Sequence, residues 1–240
     1  SDGGAHADPK AAVAHGLRLV EEGADLLDIG GESSRPGASM ISATEELKRV
    51  LPVISRLAGR VRVPLSIDTT KAEVAQEALA AGASIVNDIS ALREDSQMMR
   101  VVSRSRATVI LMHRRGSAQT MQRAPRYRNV IGEVAAFLMQ AAQRAEAHGI
   151  AHARIFIDPG LGFGKTLTHN LQLLRALDRF IALGYPLVLG PSRKSFIGAA
   201  LHAQVHERLA GTLACVAWAQ RAGVHMVRVH DVKPAVDLLH

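Results

Sequence analysis

Seven short runs of mostly branched apolar residues recur along the chain, and they limit the fold more than any other feature. They read ADLLDIG (24–30), PLSID (64–68), SIVNDIS (84–90), ATVILMH (107–113), RIFIDPG (154–160), PLVLGPS (186–192) and HMVRVHD (225–231). Near-continuous Val, Ile and Leu suits strands covered on both faces, which is the habit of parallel sheets. Longer helical patterns separate them. Asp8 and Pro9 read as the N-cap and first turn of a helix running to about Gly23. Thr44 with Glu45 and Glu46 opens a second, and Lys71 to Ala81 forms a third that Gly82 ends. Helices over 129–148, 168–183 and 206–222 stop at Gly149, Gly184 and Gly223. The repeated order is helix, glycine, short turn, strand.

The strands finish on polar residues. They end at Asp28, Asp68, Asn87 with Asp88, His113, Asp158, Ser192 and Arg228 with His230. One such end could cap a helix. Seven are explained together by a (β/α)₈ TIM-type barrel, where all C-terminal strand ends meet at one mouth. An open doubly wound sheet is the runner-up and would gather only a few of them. With 240 residues, 48% hydrophobic content and no Pro-, Gly- or Ser-rich linker, residues 1–240 are expected to form a single barrel domain. A barrel needs an eighth strand. Residues 1–7, SDGGAHA, read as the tail of a loop, so the first strand is expected upstream of Ser1.

The net charge of +7 reads first as a well-solvated surface, with an anionic substrate drawn in by the long-range field as the functional alternative. Nucleic acid is not expected, because the basic residues are scattered, Arg123–Arg128 reads as a loop, and aromatics are only 3%. No stretch is long enough to span a membrane, and no signal peptide is visible. The lone Cys215, in LACVAWA, reads as a small core hydrophobe; with no disulfide possible within the chain, a reducing, cytoplasmic compartment is expected. His15, His148, His152, His202, His206 and His225 are given no function.

The mouth would hold carboxylates from Asp68 and Asp158, the amide of Asn87, and cations from Arg35, Lys194, Arg228 and His230. Arginine forks match phosphate oxygens. Asp and Asn suit a flat heterocycle with N–H donors and carbonyl acceptors. Neither a Cys/His metal spacing nor a Gly-x-Ser-x-Gly elbow is present. DPGLGFGKT (158–166) resembles a phosphate loop but fails its spacing: the position five before Gly164 is Pro159, which lacks an N–H, and Gly160 leaves the loop one residue short. Lys165 is therefore expected to be an exposed loop lysine.

The motifs GGESSRPGA (30–38), SIDT (66–69), VNDIS (86–90), LMH (111–113), DPGLGFGKTLTHN (158–170), SRKSFIG (192–198), ERLAGTLA (207–214) and RVHDV (228–232) resemble, in order and over nearly the whole chain, those of the dihydropteroate synthase family. The resemblance implies a (β/α)₈ barrel that condenses 7,8-dihydropterin-6-ylmethyl diphosphate with 4-aminobenzoate, releasing pyrophosphate. It implies pterin contacts from Asp68, Asn87, Asp158 and Lys194, diphosphate contacts from Arg35, Arg228 and His230, and a 4-aminobenzoate border of Ser34, Pro36, Phe163 and Ser192. Catalysis would rest on Asp68, Lys194 and Arg228. It also implies Mg²⁺, whose Asn ligand in the family would lie upstream of Ser1, so no residue of this chain is assigned to metal. A homodimer and sulfonamide sensitivity are further family traits.

The resemblance departs in places. The family's first strand and its Asn-x-Thr-Pro-Asp-Ser-Phe stretch are missing, and the last helix looks short near His240, so both ends are expected to be truncated. Ser34 stands where threonine is usual, and Arg114 and Arg115 follow His113. A pterin-binding methyltransferase barrel, a non-catalytic truncated barrel and a phosphosugar isomerase barrel are the alternatives.

Overall fold

The computed structural model describes residues 8–33, 37–117 and 119–240. Helices and parallel strands alternate: α1 (Pro9–Glu21), β1 (Leu27–Gly30), α2 (Ala43–Ala58), β2 (Leu65–Asp68), α3 (Ala72–Ala80), β3 (Ile85–Asp88), α4 (Met98–Arg104), β4 (Thr108–Met112), α5 (Val130–Ala147) and β5 (Ile155–Asp158). There follow α6 (Leu167–Arg175), α7 (Leu177–Ile181), β6 (Val188–Leu189), α8 (Ser195–Leu201), α9 (Leu209–Ala222), β7 (Met226–Val227) and α10 (Val232–Leu239). β1 to β5 pair in chain order, β6 pairs with β7, and a parallel bridge between Ile157 and Leu187 joins the two groups. The seven expected strands are thus all present, each trimmed at its ends. This is the strand series of a (β/α)₈ barrel.

Side-chain caps set four of the ten α-helix starts among the described residues. The Asp8 carboxylate accepts from the Ala11 N–H, with Pro9 in the first turn. The second helix is capped by Ser42, whose hydroxyl accepts from Glu45 N, rather than by the Thr44 read from sequence. The helix expected over 168–183 breaks at Ala176 into α6 and α7. α4 and α8 were not anticipated and are only seven residues long, whereas α10 is the short last helix expected near His240.

Period-two alternation along the strands builds two cores. One face of each strand packs outward on the helices, as Leu27, Ile67, Val86, Leu111, Ile157 and Leu189 do. The other face points inward, where Ile85, Ile110 and Val188 pack with Leu26, Phe156 and Met226. Two residues further along the strands, the same inward face carries Asp28, Asn87, Met112, Asp158, Gly190 and Arg228. Register adds Ser66 beside Asp28 and sets Asp68 between Gly30 and Asn87. An apolar plug therefore floors a polar mouth. Cys215 packs against the outer core, and burial pushes its thiol up to about 11.

Candidate active site

The inward-facing layer converges on Arg228. Its guanidinium lies 2.8 Å from Asp28 Oδ2, 3.6 Å from Asp68 Oδ2 and 3.9 Å from Asp158 Oδ2. Three acids from β1, β2 and the end of β5 thus meet one cation that follows β7. Gly190 leaves room for the guanidinium: a Cβ there would sit a tight 3.3 Å from Arg228 Nη2. The Asn87 amide donates to Asp28 Oδ2 at 3.0 Å. Two acceptors in this layer, Asp28 Oδ1 and Asn87 Oδ1, are buried with no hydrogen-bond partner among the described residues, as is the Ser66 hydroxyl. An unmet buried acceptor costs about 1–3 kcal/mol.

Proximity shifts the acids and bases. Burial, reinforced by Asp28, pushes the Asp68 carboxyl up to about 7, although Arg228 pulls the other way. Asp158 is also raised by burial, against Arg228 and its own bond from Gly160 N. Burial opposes the charge on Arg228, but Asp28, Asp68 and Asp158 outweigh it and hold the guanidinium above its ordinary value. Lys194 is pushed down to about 7 by burial and by Arg228. Its Nζ stands 4.0 Å above the centre of the Phe163 ring, a cation–π contact. Phe163 itself is buried with Ile89, Met112 and Met121, forming an apolar wall beside the acids.

Two loops brace the cations. Arg193 grips Asp231 with two bonds, Nε to Oδ2 at 3.0 Å and Nη2 to Oδ1 at 2.5 Å. Ser192 Oγ receives the His230 N–H at 3.1 Å and lies 2.8 Å from His230 Nδ1. The segments carrying Lys194 and Arg228 are therefore tied together. Across the mouth, Lys71 Nζ sits 2.6 Å from both Glu32 and the buried Glu46, and Glu32 also accepts from Ile41 N at 3.0 Å. These bonds pin the base of the loop after β1.

Asp68, Asn87, Asp158, Phe163, Lys194 and Arg228 share the mouth; Ser192 and His230 lie on its rim. Ser34, Arg35 and Pro36 lie outside the described residues. Asp28 was visible as a polar strand end but received no role, and the structure places it at the centre of the acid cluster. Its signal was its parity: it stands two residues beyond the inward-facing Leu26. Lys165 is buried, contrary to the sequence reading. It is 3% exposed, not an exposed loop lysine, and its Nζ is surrounded by His113 Nδ1 and three backbone carbonyls. A loop too short to curl around phosphate has folded back and enclosed its own lysine.

A barrel with heterocycle-matching acids at its mouth and cations beside them is the layout of a pterin-binding enzyme, and residues 1–230 match the family model described by those words. Among known relatives, the dihydropteroate synthase of Escherichia coli strain K12 is 44% identical over 239 residues, covering 100% of this chain and 84% of that protein. The Xanthomonas albilineans dihydropteroate synthase solved with 4-aminobenzoic acid superposes with a TM-score of 0.92 at 48% identity, covering 100% of this chain and 85% of that one. The Yersinia pestis dihydropteroate synthase solved with a sulfonamide drug gives a TM-score of 0.97 at 42% identity, with 100% and 86% covered. The chain belongs to the dihydropteroate synthase family, transferases that move a pterinylmethyl group onto 4-aminobenzoate.

Proposed function

We propose that this chain condenses 7,8-dihydropterin-6-ylmethyl diphosphate with 4-aminobenzoate at the mouth described above, giving 7,8-dihydropteroate and pyrophosphate, with residues 1–240 acting as one pterin-binding barrel domain. The observation that carries this reading is the pair of buried, unpartnered acceptors, Asp28 Oδ1 and Asn87 Oδ1, in a layer that also holds Asp68 and Asp158. Ring and amino N–H groups of a pterin are the donors such a layer lacks. Asp68, Asn87, Asp158 and Lys194 hold the pterin, with Asp28 as an added acceptor beside Asn87; Arg228 and His230, with Arg35 by the resemblance, hold the diphosphate. Phe163 and Ser192 border the arene, with Ser34 and Pro36 again by the resemblance.

These groups suit the chemistry. Cations stabilise the departing diphosphate where its charge develops. The methylene carbon left behind is cationic and conjugated with the pterin, and ionised Asp68 stabilises it in a water-poor pocket. The arylamine is neutral at pH 7, so no strong base is needed. Mg²⁺ remains a family-implied partner. Among the described residues no cluster of three or more His, Cys, Asp or Glu side chains is placed to hold a metal ion. The three mouth carboxylates already face Arg228, so the residues described do not fit the ion, and no step is routed through it.

Pairing into a homodimer is supported by Trp218 on α9, a large apolar ring that is 47% exposed. A large exposed ring of this kind suits burial against a second copy. A cytoplasmic setting is supported by the lone cysteine and by there being, among the described residues, no helix long and apolar enough to cross a membrane. The test is pyrophosphate release by the purified chain given the pterin diphosphate, with and without 4-aminobenzoate. Release that depends on 4-aminobenzoate and yields dihydropteroate in equal amount supports the reading. Methyl transfer from methyltetrahydrofolate without pyrophosphate release overturns it.

A further inference from the structure

The glycine loop after β5 contains a buried lysine for which the proposed reaction has no use. Lys165 Nζ lies 2.9 Å from Gly160 O, 3.0 Å from Phe163 O, 3.3 Å from His113 O and 3.0 Å from His113 Nδ1. Burial pushes the Lys165 amine down to about 7; as an ammonium it only donates, so in that form Nδ1 accepts and the imidazole carries its proton on Nε2. His113 is suited to that: burial, with the nearby Lys165 and Arg93 charges, pushes it down to about 2, so it stays neutral. Its ring is wedged edge-on against Phe137 at 4.8 Å.

The carbonyls gripped by Lys165 belong to a turn with two functional ends. At one end, Gly160 N donates to Asp158 Oδ1 at 2.7 Å, which leaves Oδ2 directed at Arg228 and the mouth. At the other, Phe163 N donates to Gly160 O at 3.1 Å, and the Phe163 ring lies under Lys194. The turn is seated against the backbone of His113: a Cβ on Gly160 would come within 2.0 Å of His113 O. Asn170 completes it, accepting from Gly162 N at 2.8 Å. One buried ammonium thus spans the hinge between an acid of the heterocycle pocket and the aromatic wall beside it.

We propose that Lys165, seated on neutral His113, is a positioning residue that sets Asp158 and Phe163 relative to each other and so couples the pterin and 4-aminobenzoate half-sites. This rests on the pterin-transfer reading above. It predicts a particular pattern. Lys165 touches no substrate, so its loss spares the chemical step; it fixes both half-sites, so its loss weakens both.

The test compares wild type with Lys165→Met, which keeps length and removes every donor, and with His113→Leu and His113→Asn, the last of which keeps an acceptor near the position of Nδ1. Three quantities are read: KM for each substrate, kcat per folded molecule, and the affinity for the pterin diphosphate alone by calorimetric titration. Lys165→Met and His113→Leu are expected to raise both KM values and weaken the titration by about 10-fold or more, with kcat changed less than about 3-fold, as for misplaced binding groups. His113→Asn is expected to recover most of the loss. Unchanged KM values with a lower folded fraction, or a shift for one substrate only, overturn the proposal. Should Lys165→Met fail to fold, the two His113 variants decide: equal behaviour of Leu and Asn counts against it. Should wild type bind the pterin diphosphate but release no pyrophosphate, the transfer reading fails, and the titration still tests the clamp. Wild type that binds no pterin diphosphate overturns both.

Discussion

Replacing Arg228 with methionine should cost the fold more at pH 8 than at pH 5.5. Each of its three carboxylate contacts, at 2.8, 3.6 and 3.9 Å, has a gross attraction of roughly 4–6 kcal/mol at an effective dielectric near 20. The net loss is smaller, because the arginine no longer has to be desolvated and the acids can take up protons. Removing one partner of a buried ionic cluster typically costs about 3–5 kcal/mol, a large share of a domain's stability. The pH dependence follows from Asp68. Its folded-state value, about 7, lies above the ordinary 3.8. Between these the folded chain keeps a proton that the unfolded chain has released, so Asp68 makes stability fall as pH rises toward 7. Without Arg228 the acids repel more strongly, their folded values rise further, and the slope steepens. Urea unfolding at the two pH values reads this directly. We expect Arg228→Met to lose about 3–5 kcal/mol at pH 8 and at least about 1 kcal/mol less at pH 5.5. A deficit that is equal at both values, or larger in acid, would refute the cluster as described.

Asp158→Asn keeps an oxygen for Gly160 N, so its melting temperature should stay near wild type while pterin diphosphate affinity, measured by calorimetry, falls about 100-fold or more. Gly160→Ala should lose about 3 kcal/mol or more in urea unfolding, since φ is +69° and the new methyl meets a backbone oxygen. The pH profile of kcat/KM should be bell-shaped with its maximum near 7, because Asp68 must be ionised and Lys194 protonated, and both are held at about 7; Lys194→Arg should lift the alkaline limb. Trp218→Glu should shift sedimentation velocity from dimer to monomer, if α9 is the pairing face.

The barrel was legible because parallel strands announce themselves twice, once by apolar runs and once by polar ends. The motif pair SRKSF and RVHD has a physical basis: Arg193 and Asp231 are a bidentate couple, 38 residues apart, that ties the two loops together. Asp158, Asn87 and Arg228 were readable for the same reason, since each stands at or just past the end of a strand. Asp28 was harder, because ADLLDIG carries two acids and only the inward parity of its second separates a pocket acid from a surface one. Lys165 was misread because burial of an ammonium depends on where carbonyls turn, and turn geometry in a run of three glycines leaves no pattern in residue type. The short helices α4 and α8 were missed because seven residues hold too little periodicity to register.

The central claim is that β1, β2, β3, β5 and the end of β7 place their polar tips in one pterin-binding mouth. A crystal structure of this chain with the pterin diphosphate bound tests it most directly. The account predicts the heterocycle's N–H edge on Asp158 and Asn87 with Asp68 alongside, and the diphosphate next to Arg228 and His230. A pterin lodged elsewhere, such as the groove between α3 and α4 lined by Gln76 and Arg100, would contradict it.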